Sequence, residues 1–189
     1  MRTKRAVAVC SAIWAAGVWI LFGGVAQAKD PSKEGLKFTA KVGDTLPDVN
    51  LKQDKNDTKI RGFGQKVLTV IYADMQASDD NDPVADAIKA KDLPKNRYEG
   101  IGVANMVDSW VPNWIIRSVI KKKREKYEST ILSDENYALP KSWNLGDCND
   151  VSVVIVVGKD RKIKYIKKGK VEGAEIDKVV KLVVAEASK

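Results

Sequence analysis

A strand and a helix start that lie close together in the middle of the chain limit its fold more than any other feature. Val67–Ala73 reads VLTVIYA, an uncharged run rich in β-branched residues, which is typical of a strand buried on both faces. Eight residues separate this run from Asp82 and Pro83, which indicate a helix start because Asp caps helices and Pro suits their first turn. A buried strand that leads into a helix is the building unit of α/β domains.

The apolar pattern continues this alternation along the rest of the chain. A stretch of mixed charge, Asn and Gly over 51–64 is predicted as a loop or a short edge hairpin. Further strands are predicted at 100–106, 130–133, 152–157 and 163–166, the last two joined as a hairpin, and helices over 114–126 and from Ala174 onward. The order β-α-β-α-β-β-α predicts an α/β protein, a three-layer sandwich with a central mixed β-sheet flanked by helices.

The N-terminus has the three parts of a secretory signal. Three basic residues lie within the first five positions, an apolar run fills 6–25, and Ala-Gln-Ala at 26–28 matches the cleavage pattern. An apolar run of about 20 residues also suffices to cross a bilayer, so an uncleaved anchor is the alternative. We predict a signal peptide over 1–28 cleaved after Ala28, a flexible tether over 29–40 and one domain over 41–189.

The residues that are missing narrow the possible chemistry. The 189 residues include no His and two Cys, of which Cys10 lies in the apolar N-terminal run and Cys148 in the predicted domain. Without histidine, His-based zinc sites, His-dependent catalytic triads and His haem ligation are excluded. With one cysteine left after cleavage, the fold cannot depend on an internal disulfide, even in an oxidising compartment.

The charge of the predicted mature chain is mildly basic. Without the three basic residues of segment 1–28, which holds no acidic residue, 30 Lys and Arg remain against 25 Asp and Glu, a net charge of +5. Two basic stretches, 121–124 and 162–168, are best explained as a solvated helix end and an edge strand protected by lysine. We therefore expect no nucleic-acid partner, and a membrane partner only if the signal segment stays uncleaved.

Several motifs resemble a known family. Residues 42–51 (VGDTLPDVNL) resemble the Gly-x-x-x-Pro-x-x-x-Leu element that precedes the first core strand in peroxiredoxins and exported reductases of the thioredoxin-like superfamily. Nearly all of the mature chain is similar to the YtfJ-type family of small exported bacterial proteins. The matching motifs are 87–89 (AIK), 93–98 (LPKNRY), Asn105, Asp108, Arg117-Ser118, Ser133-Asp134, 143–145 (WNL) and the hairpin 152–163.

The superfamily implies thiol chemistry that this chain does not carry. A redox-active relative has one or two cysteines directly after the first core strand, where the helix dipole stabilises a thiolate. This chain has Gln76 and Asp79 near those positions, and neither side chain can replace a thiol. The superfamily also implies a cis-proline where this chain has Ser152. Because a non-proline cis bond costs about 2.5–4 kcal/mol, we predict that the bond between Val151 and Ser152 is trans.

Two candidate sites follow. One is the vestigial active-site face, formed by Asp74, Met75, Gln76 and Asp79 on one loop and by Val151 and Ser152 on the facing loop. The other is Cys148, whose neighbours Asp147 and Asp150 are expected to raise the pKa of its thiol and reduce its nucleophilicity. The acidic residues over 74–82 match no known cation loop, and helix capping by Asp82 explains them better, so we predict no metal and no cofactor.

These features favour a periplasmic thioredoxin-like protein without the redox pair, more consistent with a binding or accessory module than with an enzyme. Its partner is expected to be a protein or peptide of the cell envelope, because relatives bind peptides at the corresponding face. The alternative is a one-cysteine thiol oxidoreductase or peroxide scavenger that uses Cys148. Trp114 is expected in the core with its apolar helix stripe, whereas Trp110-Val111-Pro112 would form a partner site if exposed.

Overall fold

The computed structural model describes residues 33–108 and 111–189. The predicted signal segment, the first four tether residues and Trp110 lie outside the described residues. No helix within the described part is long and apolar enough to cross a membrane. The elements are β1 Asn50–Gln53, β2 Asn56–Lys59, β3 Val67–Ala73, α1 Asp82–Lys89, β4 Tyr98–Asn105, α2 Asn113–Tyr127, β5 Thr130–Asp134, α3 Ala138–Trp143, β6 Val153–Val157, β7 Ile163–Lys168 and α4 Ala174–Ser188.

Seven strands form one mixed sheet in the order β2-β1-β5-β4-β3-β6-β7. The three central strands β3, β4 and β5 are parallel, and the strands on both sides of them are antiparallel to their neighbours. The β1–β2 pair is the short hairpin predicted as one alternative for the stretch 51–64, and Asp54 adopts a positive φ of 59° in its two-residue turn. The α/β class with a central mixed sheet is confirmed.

Helices cover both faces of this sheet, so the three-layer architecture is confirmed. On one face, Val84 of α1 and Val180 of α4 pack with Val154 of β6, while α2 packs separately over β5. On the other face, α3 packs through Trp143 onto Leu68 and other inward residues of β3. The alternation of β3 residues between the two faces explains why its sequence is apolar almost throughout.

Helix α3 is absent from the sequence prediction. It spans only six residues and includes Pro140, so no helical period is visible in its sequence. Its first amides are bound by the buried Asp134 carboxylate, which accepts hydrogen bonds from the backbone N–H groups of Ala138 and Leu139, both at 2.9 Å. A carboxylate that binds the first free N–H groups of a helix stabilises that helix start.

Residues 33–40 contact the domain. The N–H groups of Thr39 and Ala40 donate to the Asn144 carbonyl at 3.0 and 3.3 Å, and Phe38 forms an isolated bridge with Leu145. Through these contacts, the described part of the predicted tether packs against the loop that follows α3. The division of the chain after residues 28 and 40 stays a prediction.

Candidate functional site

The candidate site lies at the edge of the sheet where the three parallel strands end. Asp74 directly follows β3, Asn105 ends β4 and Asp134 ends β5. Strand β6 runs in the opposite direction and begins at this edge, so the loop 144–152 lies there too. In α/β proteins the carboxyl ends of parallel strands are the usual place for ligands.

Asp74 connects the two loops of the predicted vestigial face. Its side chain is buried; Oδ1 accepts a hydrogen bond from the Ala77 N–H at 2.9 Å and Oδ2 one from the Asp150 N–H at 2.5 Å. Asp150 adopts a positive φ of 54°, which turns its N–H toward the carboxylate. The structure therefore brings the loop after β3 and the loop before β6 together, with Asp74 bound between them.

Ser152 lies behind this face rather than on its surface. It is fully buried, and its Oγ accepts a hydrogen bond from Asn81 Nδ2 at 2.6 Å. Asn81 also donates to the Gly169 carbonyl at 3.2 Å and accepts from the Val171 N–H at 2.9 Å. The peptide bond between Val151 and Ser152 is trans, as predicted.

Asn81, and not Asp82, occupies the cap position of α1, which corrects the predicted capping by Asp82. Asp82 is the first helical residue, and Pro83 follows it in the first turn as predicted. The Asn81 side chain makes no capping hydrogen bond because it is turned toward Ser152. Asn is frequent at helix caps, so its sequence position alone does not reveal this cross-loop role.

The other four residues of the predicted face are at least partly accessible. Gln76 and Asp79 are exposed, and Met75 and Val151 are half-buried against the core. Asp79 pairs with Lys123 of α2 at 2.9 Å, and this hydrogen bond holds the pKa of the Asp79 carboxyl below its ordinary value. The accessible surface of the face thus consists of Gln76 and Asp79, with the edges of Met75 and Val151.

Cys148 lies in the core beneath the same edge. Its side chain is 1% exposed, and Sγ lies 3.6 Å from the Leu145 carbonyl and 3.5 Å from the Gly146 carbonyl. Burial raises the pKa of the thiol to about 12; Lys168 opposes the rise, whereas Asp147 and two further carboxylates add to it. Asp147 contributes as predicted, but the main cause is burial, which its polar sequence neighbours do not indicate.

The sequence did not predict a second polar cluster that the structure shows at this edge. Its centre is Asp108, whose carboxylate accepts hydrogen bonds from Asn105 and Tyr137, each at 2.6 Å, and pairs with Lys33 at 2.5 Å. Burial lowers the pKa of Lys33, but its hydrogen bonds to Asp108 and Asp147 outweigh that effect and raise it overall. The available signal was the position of Asn105 and Asp108 directly after a parallel strand.

The described residues contain no group of three or more His, Cys, Asp and Glu side chains arranged to hold a metal ion. The acidic side chains at this edge instead bind protein groups: Asp74 and Asp134 bind backbone amides, and Asp82 pairs with Lys123 at 2.6 Å. A carboxylate that is already bound in this way stabilises loops and helix starts.

Trp114 does not lie in the core, which corrects its predicted placement. Its side chain is 73% exposed near the start of α2. The helix buries Ile116 and Ile120, which are four residues apart, so its apolar stripe faces the sheet and leaves Trp114 outside that stripe. Val111, beside the predicted Trp110 site, packs partly against the cluster beneath α2.

Comparison with known proteins identifies relatives over most of the domain. The model of a family described as bacterial protein of unknown function, YtfJ_HI0045, matches residues 48–186. A Haemophilus influenzae protein named "Uncharacterized protein" is 29% identical over 109 residues, 57% of this chain and 58% of that protein. The Escherichia coli "Uncharacterized protein YtfJ" is 28% identical over 120 residues, 62% of this chain and 64% of that protein. The matched regions thus span about three fifths of each relative.

Solved structures share the fold at low identity. A thiol:disulfide interchange protein from Bacteroides sp. has a TM-score of 0.54 and 16% identity, covering 77% of this chain and 91% of that chain. A peroxiredoxin-like protein from Aquifex aeolicus has a TM-score of 0.51 and 16% identity, covering 75% and 87%. Such similarity shows a shared fold and no shared activity. Because the family model matches most of the chain, the protein belongs to the bacterial YtfJ_HI0045 family, with a thioredoxin-like fold.

Proposed function

We propose that this protein is a periplasmic, non-catalytic binding or accessory module that holds a protein or peptide partner at the carboxyl edge of its sheet. One observation carries the proposal: among the residues that the structure describes, this edge presents no reactive thiol. Gln76 and Asp79 stand after β3, and Cys148 is 1% exposed with its pKa raised to about 12 by burial. On the order of 10⁻⁵ of such a thiol is ionised at pH 7, and the thiolate is the nucleophile.

The construction of the edge favours binding over chemistry. Asp74 joins the two loops through backbone hydrogen bonds, and Asn81 joins them again through Ser152. Loops fixed in this way need little ordering when a partner binds, which reduces the entropic cost of association. The accessible side chains on top of them, Gln76 and Asp79, are polar groups suited to peptide contacts.

The periplasmic location rests on the pattern over residues 1–28. A cleavable signal and the absence of a membrane-spanning helix in the described residues are both compatible with export. The intact mass of the exported form tests this directly. The mass of a chain that begins at Lys29 would support the location. The mass of a chain that still includes the apolar run 6–25 would indicate a membrane-anchored protein.

The catalytic alternative is tested by comparing the protein with Cys148→Ser. Insulin reduction and peroxide consumption are expected to stay at background for both proteins. The intact mass of the mature protein that carries Cys148 is expected to stay unchanged after mild peroxide in the presence of a small thiol. The physical reason is that neither the peroxide nor the disulfide reaches a buried, protonated thiol. Turnover by the wild type that disappears in Cys148→Ser would contradict the proposal.

The binding role is tested with a photo-crosslinking residue in place of Gln76, in cells. Asp57, 76% exposed on the edge strand β2, is the matched control because it lies on another part of the sheet. A discrete protein adduct is expected from position 76 and none from position 57. Adducts from both positions, or from neither, would contradict a partner site at the carboxyl edge.

A further inference from the structure

The carboxyl edge of the sheet holds a lysine ammonium between three loops. The Nζ atom of Lys33 lies 2.5 Å from Oδ1 of Asp108 and 3.2 Å from Oδ1 of Asp147. It also lies 5.7 Å from the centre of the Tyr137 ring. Asp108 follows β4, Tyr137 follows β5 and Asp147 precedes β6, and together they form a site that we term the ammonium cage. Carboxylates and an aromatic face are the groups that stabilise an alkylammonium ion.

The hydrogen bonds of the cage favour an ammonium over a guanidinium. Oδ2 of Asp108 accepts a hydrogen bond from Asn105 at 2.6 Å, and Oδ1 accepts one from the Tyr137 hydroxyl at 2.6 Å. A guanidinium binds a carboxylate best through both oxygens, whereas an ammonium is a compact charge that needs one. Because Asn105 already binds Oδ2, the cage presents one oxygen of Asp108 to a cation, and the ammonium of Lys33 binds that oxygen.

Two further lysines lie beside the cage without pairing with its buried carboxylate. Lys168 donates to the backbone carbonyl of Asp147, and Lys141 lies 5.7 Å from the centre of the Tyr137 ring. The Asp108 side chain is 4% exposed, and its one ion-pair partner among the described residues is the ammonium in the cage. Because a buried carboxylate without a counter-charge is strongly unfavourable, the cage requires a cation.

The segment that supplies this cation is loosely attached to the domain. Residues 34–37 form no hydrogen bond with the rest of the described domain, and the next attachment is the Thr39 N–H, which donates to the loop after α3 at 3.0 Å. The space around Gly35 is open, since no described atom beyond its chain neighbours lies within 4 Å of a Cβ placed there. Lys33 can therefore leave the cage without the movement of any helix or strand.

The cage borders the predicted partner face, which is acidic. The two loops of that face, 74–82 and 144–152, contain six acidic residues and no basic residue. Acidic residues of the first loop pair with lysines of neighbouring elements. On the second loop, Asp147 pairs with Lys33, whereas the exposed Asp150 has no ion pair with any described residue. A cationic residue of a partner is therefore favoured beside loop 144–152.

We propose that the ammonium cage receives a lysine side chain of the partner, and that Lys33 occupies the cage in the free protein as an internal competitor. This inference rests on the proposed function and names the chemistry by which the partner is recognised. A lysine of the partner exchanges with Lys33, ammonium for ammonium, so Asp108 keeps a counter-charge in both states. The apparent affinity of the wild type is reduced by the fraction of molecules whose cage is open.

The first test measures whether the cage binds a free ammonium. The probe is n-butylammonium, which has the carbon and nitrogen atoms of a lysine side chain, and binding is followed by the NMR shifts of the Tyr137 and Asp147 amides. Lys33→Ala is expected to bind the probe at least tenfold more tightly than the wild type, as it should if Lys33 fills the cage in about nine of ten molecules. Lys37→Ala, which removes an exposed lysine of the same segment, should behave like the wild type.

The specificity of the cage is measured in the Lys33→Ala protein. There n-butylguanidinium is expected to bind at least fivefold more weakly than n-butylammonium, because Asn105 occupies one oxygen of Asp108. Adding Asp147→Asn should weaken n-butylammonium at least fivefold. Adding Asp150→Asn removes a charge from the same loop but not from the cage, and it should change the affinity by less than twofold.

The second test asks whether the partner uses the cage. The protein adduct expected from a photo-crosslinking residue at position 76 is measured in cells. Its yield should rise in Lys33→Ala, fall at least fivefold in Asp147→Asn, and stay unchanged in Lys37→Ala and Asp150→Asn. These four substitutions alter side chains at the surface or at the edge of the cage and leave the buried Asp108 in place.

Failure of this inference is distinguishable from failure of the proposed function. If n-butylammonium binds Lys33→Ala no more tightly than the wild type, the competition by Lys33 is excluded. An adduct from position 76 that is insensitive to Asp147→Asn would show a partner that does not use the cage, which overturns the inference and leaves the proposed function standing. The absence of any adduct would contradict the partner site itself. If Lys33→Ala disturbs the fold, Asp147→Asn and Asp150→Asn in the otherwise unchanged chain still decide the question through the adduct.

Discussion

Asn81 joins three loops at the carboxyl edge. It contacts Ser152 before β6, and Gly169 and Val171 after β7, from its own position before α1. The three hydrogen bonds of its side chain go to these loops, and the side chain makes none to the start of the helix that it precedes. The geometry of the predicted partner face therefore depends on a residue that does not lie on its surface.

We predict that Asn81→Ala lowers the free energy of unfolding by about 2–4 kcal/mol, because buried groups left unpaired cost about 1–3 kcal/mol each. The unpaired groups would be the Ser152 hydroxyl, the Gly169 carbonyl and the Val171 N–H. Urea denaturation followed by circular dichroism measures the change. Asn149→Ala is the control, since Asn149 is exposed and contacts only its own loop, and it should change stability by less than about 0.5 kcal/mol. Equal effects of the two substitutions would argue against the network.

At the scale of elements, Lys123 connects α2 with the loop that precedes α1. Its Nζ donates to the Ser78 carbonyl at 2.8 Å and pairs with Asp82 at 2.6 Å and Asp79 at 2.9 Å. The Lys123 side chain is 18% exposed, so it lies between the elements rather than in solvent. Because α1 and α2 bury their apolar residues in two separate clusters, this polar connection is a main link between the two helices.

We predict that Lys123→Met destabilises the protein by about 1–1.5 kcal/mol at pH 7, whereas Lys122→Met, on the neighbouring exposed position, changes it by less than about 0.5 kcal/mol. The difference should depend on pH. Lys123 holds the pKa of Asp79 below its ordinary 3.8 in the folded state, so the contribution is present above that value and is lost as pH falls through the lower folded pKa. Urea denaturation at pH 7 and pH 3 measures it, and a difference that grows on acidification would contradict the assignment.

The strands, helices and loops differ in how well the sequence predicts them. The core strands and three long helices were predictable because their apolar runs have a clear period, as in Val67–Ala73. Helix α3 was not, because six residues show no period and their start depends on Asp134, a contact from outside the helix. The two site loops meet at Asp74 and Asp150 in the structure, but the burial of Ser152 and Cys148 follows from tertiary packing that neighbouring residues do not encode.

At the scale of the whole molecule, Cys148 reports on the integrity of the domain. Its thiol belongs to the largest apolar cluster, which contains Ala40 from the N-terminal segment, Leu68 from β3, Trp143 from α3 and Ile155 from β6. The thiol therefore shares one core with segments from most of the length of the domain. A reagent can reach it only when these segments separate, which in a small cooperative domain amounts to global unfolding.

We predict that labelling of Cys148 by a thiol reagent, in a Cys10→Ser background, follows the urea unfolding curve from circular dichroism to within about 0.3 M at the midpoint. In the same background with Cys148→Ser, a cysteine at the exposed position 76 (Gln76→Cys) should react within seconds without urea, because it is accessible and lacks the burial that raises the pKa of the Cys148 thiol. Rapid labelling of Cys148 in the folded protein would show that the carboxyl edge opens locally. A thiol at that edge would then be reachable by small oxidants, and the one-cysteine oxidoreductase would become the better account of the site.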